Sequence, residues 1–160
     1  MSEIRYRGRR AHQIENDHLS VVVLVGGGHI AALTHRASGI NPLWTPPWPT
    51  IEPSVYNAAQ HPEYGDGSES RLLAGIHGHN LCLDLFGAPS ETEALAGADV
   101  HGEAGVRAWT ITSETGSLSA HVTLPAARLE FSRTLRLDGD KLHFHEVLTN
   151  LAKEDRKSVV

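Results

Sequence analysis

Cysteine is almost absent. Cys82 is the single one in 160 residues, so no internal disulfide can close, and a reducing, cytoplasmic setting is expected. Long apolar runs are missing as well. No stretch approaches the roughly 18 residues of a membrane span, and no membrane partner is expected. The arginine-rich start (Arg5, Arg7, Arg9, Arg10) is not followed by an apolar segment, so it is not expected to be a signal peptide or a transit peptide. Positive charge is in deficit: 14 Lys and Arg stand against 19 Asp and Glu, for a net charge of -5. With no basic stripe interleaved with aromatics, nucleic acid is not an expected partner. There is no G-x-S-x-G nucleophile elbow and no Cys/His spacing suited to structural zinc.

What is present reads as strands and turns. Residues 1–12 form a polar arm or edge strand. Leu19–Val25, Gly26-Gly27-Gly28 and His29–Thr34 read as a β-hairpin. Gly26, Gly28 and Ala31 also satisfy a dinucleotide-binding spacing. That reading fails because four prolines between Pro42 and Pro49 forbid the helix and second parallel strand it requires. The Trp44 and Trp48 segment is an irregular loop, a lid over the sheet or a cavity flank, and residues 50–70 are turn-rich without a period. Leu72–Leu85 alternates weakly up to the turn at Phe86-Gly87-Ala88-Pro89. Ser90-Glu91-Thr92-Glu93 predicts a capping box and a short helical turn. From Val106 onward the pattern is β: Ala108–Glu114, Leu118–Leu124, Arg128–Leu137 and Lys141–Leu151, with a hairpin signal at Asp138-Gly139.

The fold class expected is therefore all-β, an antiparallel β-sandwich in a single domain over 1–160, with 152–160 as a polar tail. Leu142–Leu151 is a well-patterned strand that a sandwich would normally cover or pair. The chain is accordingly expected to be the N-terminal portion of a longer fold, incomplete at its C-terminus. A shortened product and a complete small domain with a tail stay open as alternatives. Exposed sheet edges also make a homo-oligomer an expectation.

Candidate chemistry centres on Gly97–Trp109, where Asp99, His101, Glu103, Arg107 and Trp109 crowd among three glycines. His101 is the candidate catalytic acid, because a carboxylate at either side could orient its ring and raise its proton affinity. Arg71, His79, Asn80, Glu103 and Trp44 are candidate substrate contacts, with hydrogen bonds for hydroxyls and an indole for the apolar face of a sugar ring. Trp109 could serve the same pocket or the core. His77-x-His79 and His143-x-His145 have the spacing of paired metal ligands, yet Leu83 and Thr149 stand where a carboxylate ligand would follow. No metal is assigned. Cys82, between Leu81 and Leu83, is expected to be buried and inert.

Taken in order, these motifs resemble the aldose 1-epimerase (galactose mutarotase-like) superfamily. The carrying residues are Gly26-Gly27-Gly28-His29-Ile30, Asn41-Pro42-Leu43-Trp44 and Gly78-His79-Asn80-Leu81-Cys82-Leu83. They continue with Phe86-Gly87-Ala88-Pro89-Ser90 and Glu93, His101-Gly102-Glu103-Ala104 before Trp109, and Thr149-Asn150-Leu151. The resemblance implies a β-supersandwich, a small-molecule sugar as partner and no cofactor. It also implies ring opening by a carboxylate base and a histidine acid, with His101 matching the first histidine. The second histidine and the glutamate base find no match after Leu151, since Glu154 and Asp155 do not fit the motif. As it stands the chain is expected to be a weak or inactive epimerase. The rivals are a non-catalytic carbohydrate-binding or sensing module on the same fold, and a metal-dependent sandwich.

Overall fold

Alternation in the sequence becomes two four-stranded antiparallel sheets in the computed structural model, which describes residues 3–83 and 85–153. The first is a meander of β1 (Ile4–Tyr6), β2 (Arg9–Glu15), β3 (Leu19–Leu24) and β4 (Ile30–His35). The second, also a meander, holds β5 (Thr110–Glu114), β6 (Ser117–Leu124), β7 (Leu129–Asp138) and β8 (Lys141–Asn150). β2 lies against β5 and β6, which makes the pair a β-sandwich. Two short helices, α1 (Ser70–Gly75) and α2 (Glu91–Leu95), sit in the long irregular connection between the sheets.

Period-two patterning explains the core. Val21, Val23 and Ile14 face Leu118, Val122, Phe131 and Leu135 across the sandwich, with Trp109 among them. Val22, Leu24, Ala11 and Ala31 are buried on the other face of the first sheet. β3 is thus buried on both sides, which is why it reads as an unbroken Val-Val-Val-Leu run. The connection from 41 to 83 is tied down by Arg9, which is 2% exposed. Its guanidinium donates to the carbonyls of Gly26 (2.7 Å) and Gly75 and lies 3.8 Å from the Glu52 carboxylate. Burial lowers the Arg9 pKa from its ordinary value, and Glu52 opposes the shift.

Most of the expected elements form. The hairpin of β3 and β4 closes through Leu24 N–H to the His29 carbonyl at 2.9 Å, and Asp138 pairs with Lys141 across Gly139 and Asp140. α2 carries the full capping box, with Ser90 and Glu93 exchanging bonds. One segment departs from its pattern. Ser70–Gly75 is helical, and from 76 to 90 the described residues form no strand beyond a single bridge of His79 to Ile30. Weak alternation there came from a chain crossing an edge. It did not come from a pleated surface.

Gly28 shows how tightly the sheets are joined. Its φ is +60°, and a Cβ would fall inside the Trp109 indole. Gly28→Ala is expected to cost about 2–4 kcal/mol, from overpacking plus the left-handed backbone. Urea unfolding followed by circular dichroism checks this, and an unchanged midpoint would contradict it.

Candidate functional site

The glycine-punctuated stretch lies along the connection, anchored where the two sheets meet. Gly27 N–H donates to the Arg107 carbonyl at 2.7 Å and Trp109 N–H to that of Val25 at 2.8 Å. From this root the chain folds back through tight turns: the Asp99 carbonyl accepts from Gly102 N–H at 2.9 Å, and that of Glu103 from Arg107 N–H at 3.1 Å. His101 sits between them with φ +62°, a left-handed conformation uncommon for a side chain of its size.

His101 is half-buried and held by one backbone unit. Its N–H donates to the Gly87 carbonyl at 2.9 Å, and Gly87 N–H donates to its Nδ1 at 3.1 Å. An Nδ1 that accepts leaves the neutral ring's proton on Nε2. The Phe86 ring stands edge-on at 4.9 Å and is 86% exposed, so an apolar surface borders the imidazole. The orienting group is therefore a peptide and neither neighbouring carboxylate. Asp99 pairs with Arg71, whose Nη1 lies 3.3 Å from Oδ2, while Arg71 Nε donates to the Pro53 carbonyl at 3.3 Å. Arg71 and His101 are brought into one neighbourhood through Asp99.

Glu103 is turned inward and is 1% exposed. Its Oε1 accepts from Arg107 Nε at 3.0 Å and also from Nη2, and its Oε2 from Ala127 N–H at 3.0 Å. Expected among the substrate contacts, its carboxylate instead clamps the 103–107 turn to the β6–β7 connection. A cavity of about 50 Å³ beside it is lined by Leu85, Ala98, Gly102 and Ala127, among others. That is far below the roughly 300 Å³ of a small-ligand pocket.

A second group of candidates lies along the connection between the sheets. His79, exposed, bridges Ile30 through its backbone and holds its ring 6.4 Å from Phe144. Its pKa is lowered, first by burial and then by Arg133. Trp44 accepts from Gly78 N–H at 2.9 Å through its carbonyl, is 50% exposed, and packs edge-on with Trp48 at 5.7 Å. Asn80 donates from Nδ2 toward the Cys82 sulfur at 3.8 Å, while its Oδ1 is buried without a partner. Among the described residues, no hydrogen bond, ion pair or ring contact joins this group to Arg71 and His101.

Two expectations resolve locally. Trp109 is a core residue, 3% exposed, with Nε1 donating to the Ala104 carbonyl at 3.0 Å and Phe131 edge-on at 5.6 Å. Cys82 is exposed, correcting the buried placement, because 81–83 runs along the surface and only its two leucines turn to the core. Its thiol pKa is raised by partial burial, so it is not an activated nucleophile. Among the described residues no cluster of three or more His, Cys, Asp or Glu side chains is placed to hold a metal ion. No helix among them is long and apolar enough to cross a membrane.

Phe86, Phe144, Arg133 and Glu146 are not among the site residues expected from the sequence. Arg133 had a signal: in Leu129-x-Phe131-x-Arg133-x-Leu135 it takes an inward position on an apolar face. It is 2% exposed, donates from Nε to Glu146 at 2.7 Å, and stacks over Phe131 and Phe144 at 5.6 and 5.8 Å.

No family model and no curated protein matches the chain. Solved structures do. A galactose mutarotase related enzyme from Lactobacillus acidophilus superposes with a TM-score of 0.55 at 12% identity, over 88% of this chain and 43% of the other. A galactose mutarotase-like protein from Lactobacillus casei gives 0.56 at 14%, over 88% and 44%. The likeness is one of fold: an antiparallel β-sandwich like that of galactose mutarotase-like proteins. The chain spans less than half the length of either structure.

Proposed function

We propose that this chain binds a monosaccharide or related hexose derivative at the surface around His101, in the manner of an aldose 1-epimerase. The observation that carries the reading is the presentation of His101. A backbone amide fixes its Nδ1, the neutral ring keeps its proton on Nε2, and the exposed Phe86 borders it. A sugar ring could pack its C–H face on Phe86 and accept from Nε2–H at its ring oxygen, while the Arg71–Asp99 pair offers a donor and an acceptor to hydroxyls. Donation to the ring oxygen weakens the C1–O5 bond. A base that takes the anomeric hydroxyl proton then opens the ring, rotation about C1–C2 turns the carbonyl over, and reclosure gives the other anomer.

In this reading His101 is the acid, and neither carboxylate flanking it in sequence is free to serve as the base. Asp99 and Glu103 are each engaged by an arginine. This favours a second reading, a non-catalytic carbohydrate-binding module on the same fold. Titration calorimetry with aldohexoses and polarimetry of an α-aldose separate the two. Binding with mutarotation near the uncatalysed rate is expected, and binding should weaken on Arg71→Ala. Heat-silent, shift-free titrations with every hexose tried would overturn the sugar reading altogether.

A further inference from the structure

We propose that His77 is an acid-released latch, whose protonation lifts residues 76–79 off the first sheet while the sandwich itself stays folded. The starting observation is how that segment is held. It leaves α1 where Ile76 N–H donates to the Leu72 carbonyl at 2.7 Å. Gly78 N–H then donates to the Trp44 carbonyl at 2.9 Å, and Ile30 and His79 exchange two backbone bonds of 3.2 and 3.0 Å. These three bonds clasp the segment to β4 and to the Pro/Trp loop. Between them only His77 is sunk into the structure, at 1% exposure, while Ile76 and Gly78 are half-buried and His79 is exposed. The latch thus governs the segment that carries His79 and is tied to Trp44, whatever that surface binds.

The surroundings of His77 suit a neutral ring. From β1, the Tyr6 ring meets it edge-on at 5.7 Å. Arg7, in the turn after β1, and Arg9, on β2, both oppose a positive charge there. His29, just ahead of β4, lies within electrostatic reach as well. Among the described residues neither ring nitrogen meets a hydrogen-bond partner of normal geometry, and the Ala31 backbone, which favours a charge, acts least. Glu52 is taken up by Arg9 and by Arg10 N–H at 2.8 Å. Arg9 cannot turn away, because its guanidinium donates to the carbonyls of Gly26 and Gly75. A proton on His77 would therefore put a third cation beside two, in a place that water does not reach. The least costly relief is for the ring to leave, since the three clasping backbone bonds can be remade to water.

The direction of the response follows from the two states of the ring. Burial, then Arg7 and Arg9, lowers the closed value to about 4. A released imidazole titrates near its ordinary value of about 6.5. The open form binds the proton more tightly, so the latch holds fully above about pH 6.5 and opens more readily as pH falls toward 4. His29 stays neutral through that range, because its own value is lower still, about 3.

Hydrogen exchange on the full chain, read at single amides by NMR and normalised for the intrinsic rate at each pH, tests the latch. Protection of the Ile30, Gly78 and His79 amides is expected to fall roughly fiftyfold between pH 7 and pH 4.5, the ratio those two values set. At pH 4.5 these amides should exchange faster than those of Val122 and Phe131 in the middle of the second sheet, which marks the opening as local. His77→Phe keeps an edge-on contact for Tyr6 and cannot titrate, so the fall should vanish, whereas His29→Gln should leave it in place. Arg7→Asn removes one cation from an exposed turn where asparagine tolerates the φ of +49°, and it should shrink the fall without touching the buried ring. A level protection profile, a fall unchanged by both Arg7→Asn and His77→Phe, or protection lost in step with Val122 and Phe131 would overturn the proposal.

Discussion

Acidification from pH 6.5 to pH 4 is expected to strip several kcal/mol of stability from this protein, with His29 the leading cause. His29 is fully buried, and burial, then Arg9, pushes its pKa down to about 3. Its geometry agrees: Nε2 lies 3.0 Å from the Gly105 carbonyl and must carry the proton, while Nδ1 is buried with no partner to receive a second one. His77, edge-on to Tyr6, is lowered to about 4 by burial and by Arg7 and Arg9. Both folded values lie below the unfolded one. The unfolded chain therefore binds more protons, and stability is fully present above about pH 6.5 and lost as pH falls toward the folded values. Each histidine contributes a slope of up to about 1.4 kcal/mol per pH unit. For His29 alone this amounts to about 3 kcal/mol by pH 4, against a usual total of about 5–15 kcal/mol. Urea midpoints measured across this range should fall steadily. His29→Gln, which keeps a donor for Gly105 but does not titrate, should flatten the slope by nearly one proton. A profile that is level between pH 7 and pH 4 would refute the assignment.

His29 also marks how far the sequence could be read. Its position after three glycines signalled a hairpin, and the hairpin forms, because turn chemistry and period-two alternation are local properties. The strands of the second sheet and the capping box at Ser90 were legible for the same reason. The burial of His29 was not, since it depends on Gly105, which lies 76 residues away. The site follows the same division. Asp99, His101 and Glu103 stand out as a cluster, but which carboxylate meets which arginine is set by packing. Asp99 turns to Arg71 and Glu103 to Arg107, so the ring of His101 falls to the Gly87 amide. β8 carried a clear alternation, yet alternation reports a pleat. It does not report whether anything lies over that pleat.

Stability and sugar recognition are expected to separate cleanly between Glu103 and His101, although the two lie only two residues apart. Glu103→Ala removes a buried carboxylate from Arg107 and takes its acceptor from Ala127 N–H. Arg107 is 40% exposed and can turn to water, so the cost comes mainly from the buried amide and from the freed 103–107 turn. A loss of about 2–4 kcal/mol is expected, with hexose affinity unchanged in the fraction that remains folded. His101→Asn makes the opposite test. Asparagine tolerates a positive φ and keeps a side-chain oxygen to accept from Gly87 N–H, so stability should move by less than about 1 kcal/mol. What it loses is the ring nitrogen that would face the sugar, and with it the hydrogen bond to the ring oxygen. Binding should then weaken by roughly tenfold, the equivalent of one neutral hydrogen bond. Chemical denaturation and titration calorimetry on the two variants give four numbers. If His101→Asn unfolds the chain while its hexose affinity per folded molecule is unaltered, His101 is a structural residue of the turn and the sugar surface lies elsewhere. If Glu103→Ala leaves the midpoint in place, the inward clamp carries none of the load assigned to it.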